Sequence, residues 1–463
     1  MTPDEANTLC VFAVNRGQME NRIDAHFYLP LFGEMTEKIK KNLYCKLDDI
    51  VKFSSDVTDF SEFENGLFEY LEIANVNLDS NDYTTTSTLV EDAPSRAKKK
   101  TQCGDICIST TRPNRGAIVE IRHNKVIAST GFSIIREVDK SIDKQWLLYA
   151  LLSKPVLLQM LQRSSGGNYP AITEDELKKV ILPILSIEKQ NELLIRIDTA
   201  LQERKLKIKQ ADELVSISKR QAFETLGVDF SEYTPSLYSK SMRGTLKEMG
   251  VYCNPHSDYL NLVFAQLKAN EYYAGDLENF VEVNPATSRK DLYDDNDVSF
   301  VPMPNVTEKT NEVIYEQREY AKVKTGFTIF QKGDLLWAKI TPCMQNGKSF
   351  LADTMPTEIG FGSTEFHVLR KKNDKIYMPF LWVMLSDTHI LEAAQGMFGG
   401  SAGQQRVPDT FLKKFPVVLP PFEIQKTLAD NVFNALRQAK QLRKQAEKEW
   451  REAKTRFEKE LLQ

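Results

Sequence analysis

Apolar residues recur near heptad spacing in two long stretches of the chain, and each stretch predicts a helix of about ten turns. In Ile187–Leu226 the positions are Leu194, Ile197, Leu201, Ile208, Ala211, Val215 and Ala222, with Lys, Glu and Arg between them. In Glu423–Leu462 they are Leu428, Val432, Ala435, Ala439, Leu442, Ala446 and Ala453. About 40 residues at 1.5 Å each make a rod roughly 60 Å long. Neither stripe is continuous enough to hold a lone helix, so the two rods are expected to pack on each other as a coiled coil. Upstream of each rod the period changes. Short β-like runs at Tyr70–Val76, Asp105–Thr111, Gly116–Arg122 and Ser129–Arg136 precede an apolar helical stretch at Leu147–Leu161. A second helical stretch, Phe380–Ala394, stands before GMFGGSAGQQRVP (Gly396–Pro408), as Leu147–Leu161 stands before SSGGN (Ser164–Asn168).

The same order of elements therefore occurs twice. LKKVILPILSIEKQ from Leu177 maps onto LKKFPVVLPPFEIQ from Leu412, so that Glu188 and Gln190 match Glu423 and Gln425 at a shift of 235. LDDIV (Leu47–Val51) pairs with LENFV (Leu277–Val281), and YLEIANV (Tyr70–Val76) with FVPMPNV (Phe300–Val306). CGDICISTTRP (Cys103–Pro113) pairs with KGDLLWAKITP (Lys332–Pro342), and STGFSIIR (Ser129–Arg136) with STEFHVLR (Ser363–Arg370). The shift drifts by only a few residues, which puts insertions in loops between shared elements. Two long copies indicate a duplicated domain and not a solenoid. The expected class is α+β: two homologous mixed α/β domains with a curved or barrel-like strand set, a pseudo-two-fold internal repeat, and two long coiled-coil helices. The boundaries are 1–183 for the first domain, 184–226 for the central helix, 227–419 for the second domain and 420–463 for the C-terminal helix. Such a duplication can place two equivalent surfaces on a pseudo-two-fold partner, and duplex DNA is the commonest one.

Composition narrows the picture modestly. A content of 41% hydrophobic and 27% charged residues in 463 is that of an ordinary globular protein. No apolar run approaches the roughly 20 residues that cross a bilayer, and MTPDEANTLC lacks the basic and apolar regions of a signal peptide, so a cytoplasmic protein is expected. The net charge of −4 opposes a generic polyanion binder but leaves room for local basic surfaces. Arg96, Lys98, Lys99 and Lys100 form one such cluster, with looser counterparts at Lys322, Lys324, Lys332 and Lys339. The cysteines (Cys10, Cys45, Cys103, Cys107, Cys253, Cys343) form no CxxC pair, which points to reduced thiols and no metal site.

Catalytic motifs fail on inspection. LPPFE (Leu419–Glu423) has Leu where an amino-methyltransferase needs Asn or Asp before Pro-Pro-Tyr/Phe, and it falls at a helix entry where Pro is favoured. Gly347-Lys348-Ser349 ends like a phosphate loop, but Pro342 occupies the place of the first glycine. GMFGGSAG (Gly396–Gly403) follows a helix and not a strand, which fails the dinucleotide context. The chain reads as non-catalytic.

The two copies of LKKxxxP…E.Q, the GD[IL] strands followed by Ser/Thr-Arg/Pro turns, and RIDAHFYLP at Arg22–Pro30 resemble the DNA-specificity (S) subunit of type I restriction–modification systems. The resemblance covers nearly the whole chain, although the second copy departs from the opening motif, reading VYCNPHSDYL at Val251–Leu260. It implies two target-recognition domains joined by antiparallel conserved helices, each domain reading one half of a split, asymmetric double-stranded DNA target. It implies partnership with two methylation subunits and with restriction subunits, and no membrane. Cofactors are expected in those partners (S-adenosylmethionine, ATP and magnesium) and none in this chain. Two other readings compete: the recognition portion of a methyltransferase or nuclease enzyme, which the missing cofactor motif opposes, and a coiled-coil scaffold with no nucleic-acid role.

Base reading needs side chains with paired donors or acceptors. In the first repeat the candidates are Asn75, Asn77, Lys98, Lys99, Arg112, Asn114 and Arg115, with Asn168 and Tyr169 in the SSGGNY loop. In the second they are Asn305, Lys339, Thr341, Gln345, Asn346 and Lys348, with Gln404, Gln405 and Arg406 in the GSAGQQR loop. Both loops are expected to open a helix whose backbone N–H groups suit phosphate.

Overall fold

The structure, a computed structural model, describes residues 12–14, 17, 19–20, 22–63, 66–230, 255–290, 292–400 and 404–463. The N-terminal stretch MTPDEANTLC with Cys10, the opening of the second repeat at 251–254 with Cys253, and residues 401–403 lie outside it. The chain divides into two compact units, Met1–Leu206 with Gln445–Gln463, and Lys207–Lys444. Both divisions fall inside the long helices Ile187–Thr225 and Phe422–Leu461, so each unit takes part of both.

In the first unit a four-stranded sheet runs in the order Val51–Phe53, Phe132–Val138, Ile106–Ser109, Ile118–Glu120. A second runs Thr86–Leu89, Leu67–Leu71, Val126–Ser129, Ala97–Lys100, with Leu67–Leu71 and Val126–Ser129 parallel. Alternate side chains of one strand feed two cores, as the period of 2 requires. Ile106 and Ile108 meet Trp146, Leu147 and Leu151 of the helices, whereas Cys107 meets Leu71, Val126 and Ala128 of the other sheet. That is why this strand reads as a continuous apolar run. The second unit repeats the topology strand for strand. Val281–Val283, Phe366–Lys371, Leu335–Ala338 and Ser349–Leu351 form one sheet; Glu316–Glu319, Asp297–Val301, Ile359–Gly362 and Thr328–Gln331 form the other. Asp297–Val301 and Ile359–Gly362 are again the parallel pair. Leu335 and Trp337 face the helical core, Leu336 and Ala338 the inter-sheet core.

The GD motifs are explained by a turn and a buried ion pair. Gly104 and Gly333 both stand at φ +86, a conformation that disfavours any side chain. The following Asp105 and Asp334 are buried; each accepts the backbone N–H three residues upstream (Gln102, 2.9 Å; Gln331, 2.7 Å). Each also holds the arginine that ends the repeated strand motif, Arg136 at 2.9 Å and Arg370 at 2.7 Å. The motif glutamines act similarly. Gln190 and Gln425 are buried at the entries of the long helices. Gln190 accepts from the Asp143 N–H (2.8 Å) and donates to the carbonyls of Ser141 (3.1 Å) and Leu185 (2.9 Å). Gln425 accepts from Tyr377 (2.9 Å) and donates to Lys375 (3.0 Å) and Pro420 (2.8 Å).

Within each unit the segments of the two long helices run in opposite senses. In the first, Lys189 meets Glu460 and Arg204 meets Glu447, and Leu193, Leu194 and Ile197 share a core with Trp450, Ala453, Phe457 and Leu461. In the second, Asp212 meets Arg443, and Ala222, Phe223 and Leu226 share a core with Leu428, Ala429, Val432 and Leu436.

Two expectations are corrected. The helical stretch Leu147–Leu161 is two helices, Lys144–Leu151 and Lys154–Arg163, and Phe380–Ala394 is also two, Met378–Leu385 and Thr388–Ala394. Pro155 cannot continue a helical ladder, and the Asp387 carboxylate caps a fresh start by accepting from the His389 N–H at 2.9 Å. The run Tyr70–Val76 also splits. The strand stops at Leu71, and a 3-10 turn spans Ile73–Asn75.

Candidate nucleic-acid interface

At one edge of the first unit, four segments are tied together by main-chain hydrogen bonds. The Thr130 N–H donates to Arg96 O (2.9 Å) and the Thr110 N–H to Gly131 O (2.8 Å), joining two strand ends to the Thr130–Gly131 turn. The Arg112 N–H donates to Pro170 O (2.7 Å), which brings in the SSGGNY loop. That loop closes on itself, because Ser165 and Ala171 exchange both backbone bonds at 2.8 Å. Gly166 stands at φ +98, and a Cβ there would come within 3.2 Å of Tyr169 O.

Arg112 is the centre of this edge. Its backbone is left-handed (φ 49, ψ 52), and its guanidinium lies 4.1 Å from the centroid of the Tyr169 ring. Its Nη2 donates to Asn168 O at 2.9 Å. Three residues nominated from sequence, Arg112, Asn168 and Tyr169, are thus brought together across 56 positions of chain. Arg96, absent from the nominated set, is exposed at the strand end that the Thr130 N–H bonds. Its only signal in sequence is the basic run that it opens. Lys98 is exposed and Lys99 half-buried on the strand Ala97–Lys100, while Lys100 pairs with Glu62 at 2.6 Å.

The second unit builds the corresponding edge from different chemistry. The Thr341 N–H donates to Gln405 O (2.9 Å), the Val407 N–H to Lys339 O (2.9 Å) and the Lys339 N–H to Glu365 O (2.9 Å). Lys339, Thr341, Gln404, Gln405 and Arg406 are thereby gathered. Arg406 is clamped by Glu365, with Nε to Oε2 at 2.9 Å and Nη2 to Oε1 at 2.7 Å. The guanidinium holds the Glu365 carboxyl below the usual carboxylate range. Behind the loop, buried His367 sits with Nε2 2.9 Å from Val407 O, and burial pushes its pKa down. A neutral ring can donate from Nε2 and accept at Nδ1, where the Asn284 amide nitrogen lies at 3.1 Å.

Other nominated residues are engaged in local structure. The Asn75 Oδ1 accepts from the Glu72 N–H at 3.1 Å, and the Asn77 Oδ1 from Asp79 and Ser80 at 2.9 and 3.1 Å. Asn305 donates to Ile314 O and Glu316, both at 3.1 Å, and Lys348 to Met303 O at 3.2 Å. Asn114 is exposed in the turn Pro113–Arg115. Arg115 lines a cavity of about 110 Å³ with Trp450 and Lys454. Gln345 and Asn346 line one of about 780 Å³ with Lys219 and Arg443, and there Gln345 bonds Gln395 and Asn346 bonds Glu308, each at 2.8 Å. These three residues therefore lie toward the long helices.

The expected phosphate seats at the helix entries do not form. The helices after the two loops are only Glu174–Lys178 and Asp409–Lys413. The first is capped by Thr173 and carries Glu174, Asp175 and Glu176 in its first turn; the second begins with Asp409. Carboxylates there repel a phosphate and take up the helix-end field themselves. Among the described residues no group of three or more His, Cys, Asp or Glu is placed to hold a metal, and no helix is long and apolar enough to cross a membrane.

The family model for the type I restriction modification DNA specificity domain matches residues 40–214 and again 270–449, one copy on each half of the repeat. The chain belongs to this family. The specificity subunit of type I restriction enzyme EcoAI of Escherichia coli is 35% identical over 153 residues, 33% of this chain and 26% of that protein. The EcoEI specificity subunit of the same organism is 33% identical over 146 residues, 31% of this chain and 24% of that protein. The match thus spans about a quarter of the length of these curated relatives. A chain from a solved structure of the type I R-M system aligns with a TM-score of 0.49 at 16% identity, over 90% of this chain and 96% of that one.

Proposed function

We propose that this chain is the specificity subunit of a type I restriction–modification complex and binds double-stranded DNA sequence-specifically without catalysing a reaction itself. Target-recognition domains at 1–183 and 227–419 each read one half of a bipartite target. The helical segments 184–226 and 420–463 act as an antiparallel coiled-coil spacer and as docking surface for two methylation subunits and the restriction subunits. S-adenosylmethionine, ATP and magnesium belong to those partners. The observation that carries this reading is the double family match on two units of the same topology whose loop edges differ. A kept scaffold with two different edges suits a split, asymmetric target. Base contacts specify and phosphate contacts position. Arg112 on one edge and the Gln404–Gln405 amides on the other are side chains suited to specifying.

The test is methylation mapping of DNA from cells carrying the methylation subunit with and without this chain. A bipartite methylated motif that appears only with the chain is expected. Unchanged methylation, or S-adenosylmethionine binding by the isolated chain, would sink the reading.

A further inference from the structure

We infer that Arg112, held over the Tyr169 ring, reads a guanine in the half of the DNA target assigned to the first unit. The inference rests on the function proposed above.

Three observations carry it. The first is orientation. The Arg112 guanidinium is fixed by the Tyr169 ring on one face (4.1 Å to the centroid) and by Asn168 O on one edge (2.9 Å). Its backbone is pinned at φ 49 by the hydrogen bond to Pro170 O. A left-handed backbone is unfavourable for a side chain of this size, so the surrounding loop imposes it. The second is unspent capacity. A guanidinium carries five N–H donors, and one meets a protein acceptor here, which leaves a fork for an outside partner. Arg136, Arg163 and Arg406 are neutralised by carboxylates, whereas among the described residues Arg112 meets a carbonyl and an aromatic face and no carboxylate. The third is exposure. Tyr169 is 68% exposed, a position that does nothing for the core.

A phosphate can be met by any cation that reaches it and does not need a fixed fork. The paired O6 and N7 acceptors of guanine need two donors in one plane, and a stacked arginine supplies them without ordering a flexible side chain on binding. The second unit provides an internal contrast. The residues at the matching loop positions are Thr341 and Gln404, which cannot form this pair.

The test uses the chain assembled with its methylation subunit. Wild-type complex is challenged with duplexes in which each guanine of the first half-site is replaced in turn by 7-deazaguanine, which lacks the N7 acceptor. One position is expected to lose roughly 5- to 150-fold in affinity. Arg112→Lys keeps the charge and loses the fork; Tyr169→Ala keeps the arginine and loses the platform. Both should relax that one position in the methylated motif and leave the second half-site unchanged. Three outcomes overturn the inference: a first half-site without guanine, no single sensitive position, or an Arg112→Lys loss spread evenly over all sequences, as a phosphate contact gives. Failure of the wild-type complex to methylate any bipartite motif would instead overturn the proposed function, and this inference with it.

Discussion

Replacing Gln190 by Ala should destabilise the first unit far more than its place at a helix entry suggests. The side chain is 0% exposed, so water cannot take over its bonds. Truncation strands the Asp143 N–H and removes a donor from Ser141 O and Leu185 O. Each lost neutral bond is worth about 1 kcal/mol, and a stranded buried group costs about 1–3 kcal/mol. Allowing for relaxation, the total is about 3 kcal/mol. Asp143 also caps Lys144–Leu151 by accepting from the Gln145 and Trp146 N–H groups, so loosening it frays the helix that carries buried Trp146. For a unit of this size, about 3 kcal/mol corresponds to a fall in Tm of roughly 6–12 °C. Trp146 and Trp450 report the first unit by fluorescence in thermal or urea melts. The control is Glu188→Ala, two residues upstream and exposed, where a change within about 0.5 kcal/mol is expected. If Gln190→Ala melts with Glu188→Ala, the clip contributes nothing and the repeated glutamine needs another explanation.

Two further outcomes follow from buried charge. Arg370→Ala should leave the buried Asp334 carboxylate without its partner and cost about 3–5 kcal/mol, read from the urea midpoint; a double exchange to Met and Leu should cost much less, and equal losses would refute the ion-pair account. Lys219 lies buried over Trp382 with its Nζ 3.0 Å from Ser386 O, and burial pushes its pKa from 10.5 down to about 8. Between those values the unfolded chain holds a proton that the folded chain lacks, so stability should rise from pH 8 to 10.5, by on the order of 3 kcal/mol. Below pH 8 the lysine is charged in both states and the full burial penalty stands. Lys219→Met should flatten that rise in pH-dependent chemical denaturation; an unaltered slope would mean that other groups produce it.

The sequence by itself determined the duplication, the class and the scaffold chemistry. Motifs that recur do so because local geometry demands them: a glycine at φ +86, an aspartate that accepts from the backbone three residues upstream, a glutamine that clips a helix entry. These demands are short-range, so they show as fixed residues at fixed spacing. The two breaks at Leu152–Ser153 and Ser386–Asp387 were also within reach, since Pro155 and the capping Asp387 both mark them. What sequence could not decide is which polar residues meet. Arg112 and Tyr169 lie 57 positions apart, and nothing local signals that a six-residue loop closes on itself and lays the ring under the guanidinium. The same holds for Arg406, a free cation on paper and a clamped partner of Glu365 in the fold. Asn75 and Asn77 carry amides suited to bases but use their oxygens to accept from nearby turn N–H groups, because a short amide side chain finds its own backbone first. Asn305 spends its amide donors on Ile314 O and Glu316. Periodicity reports which face of an element is buried. The convergence of loop side chains depends on how distant segments close, and only the tertiary structure fixes that.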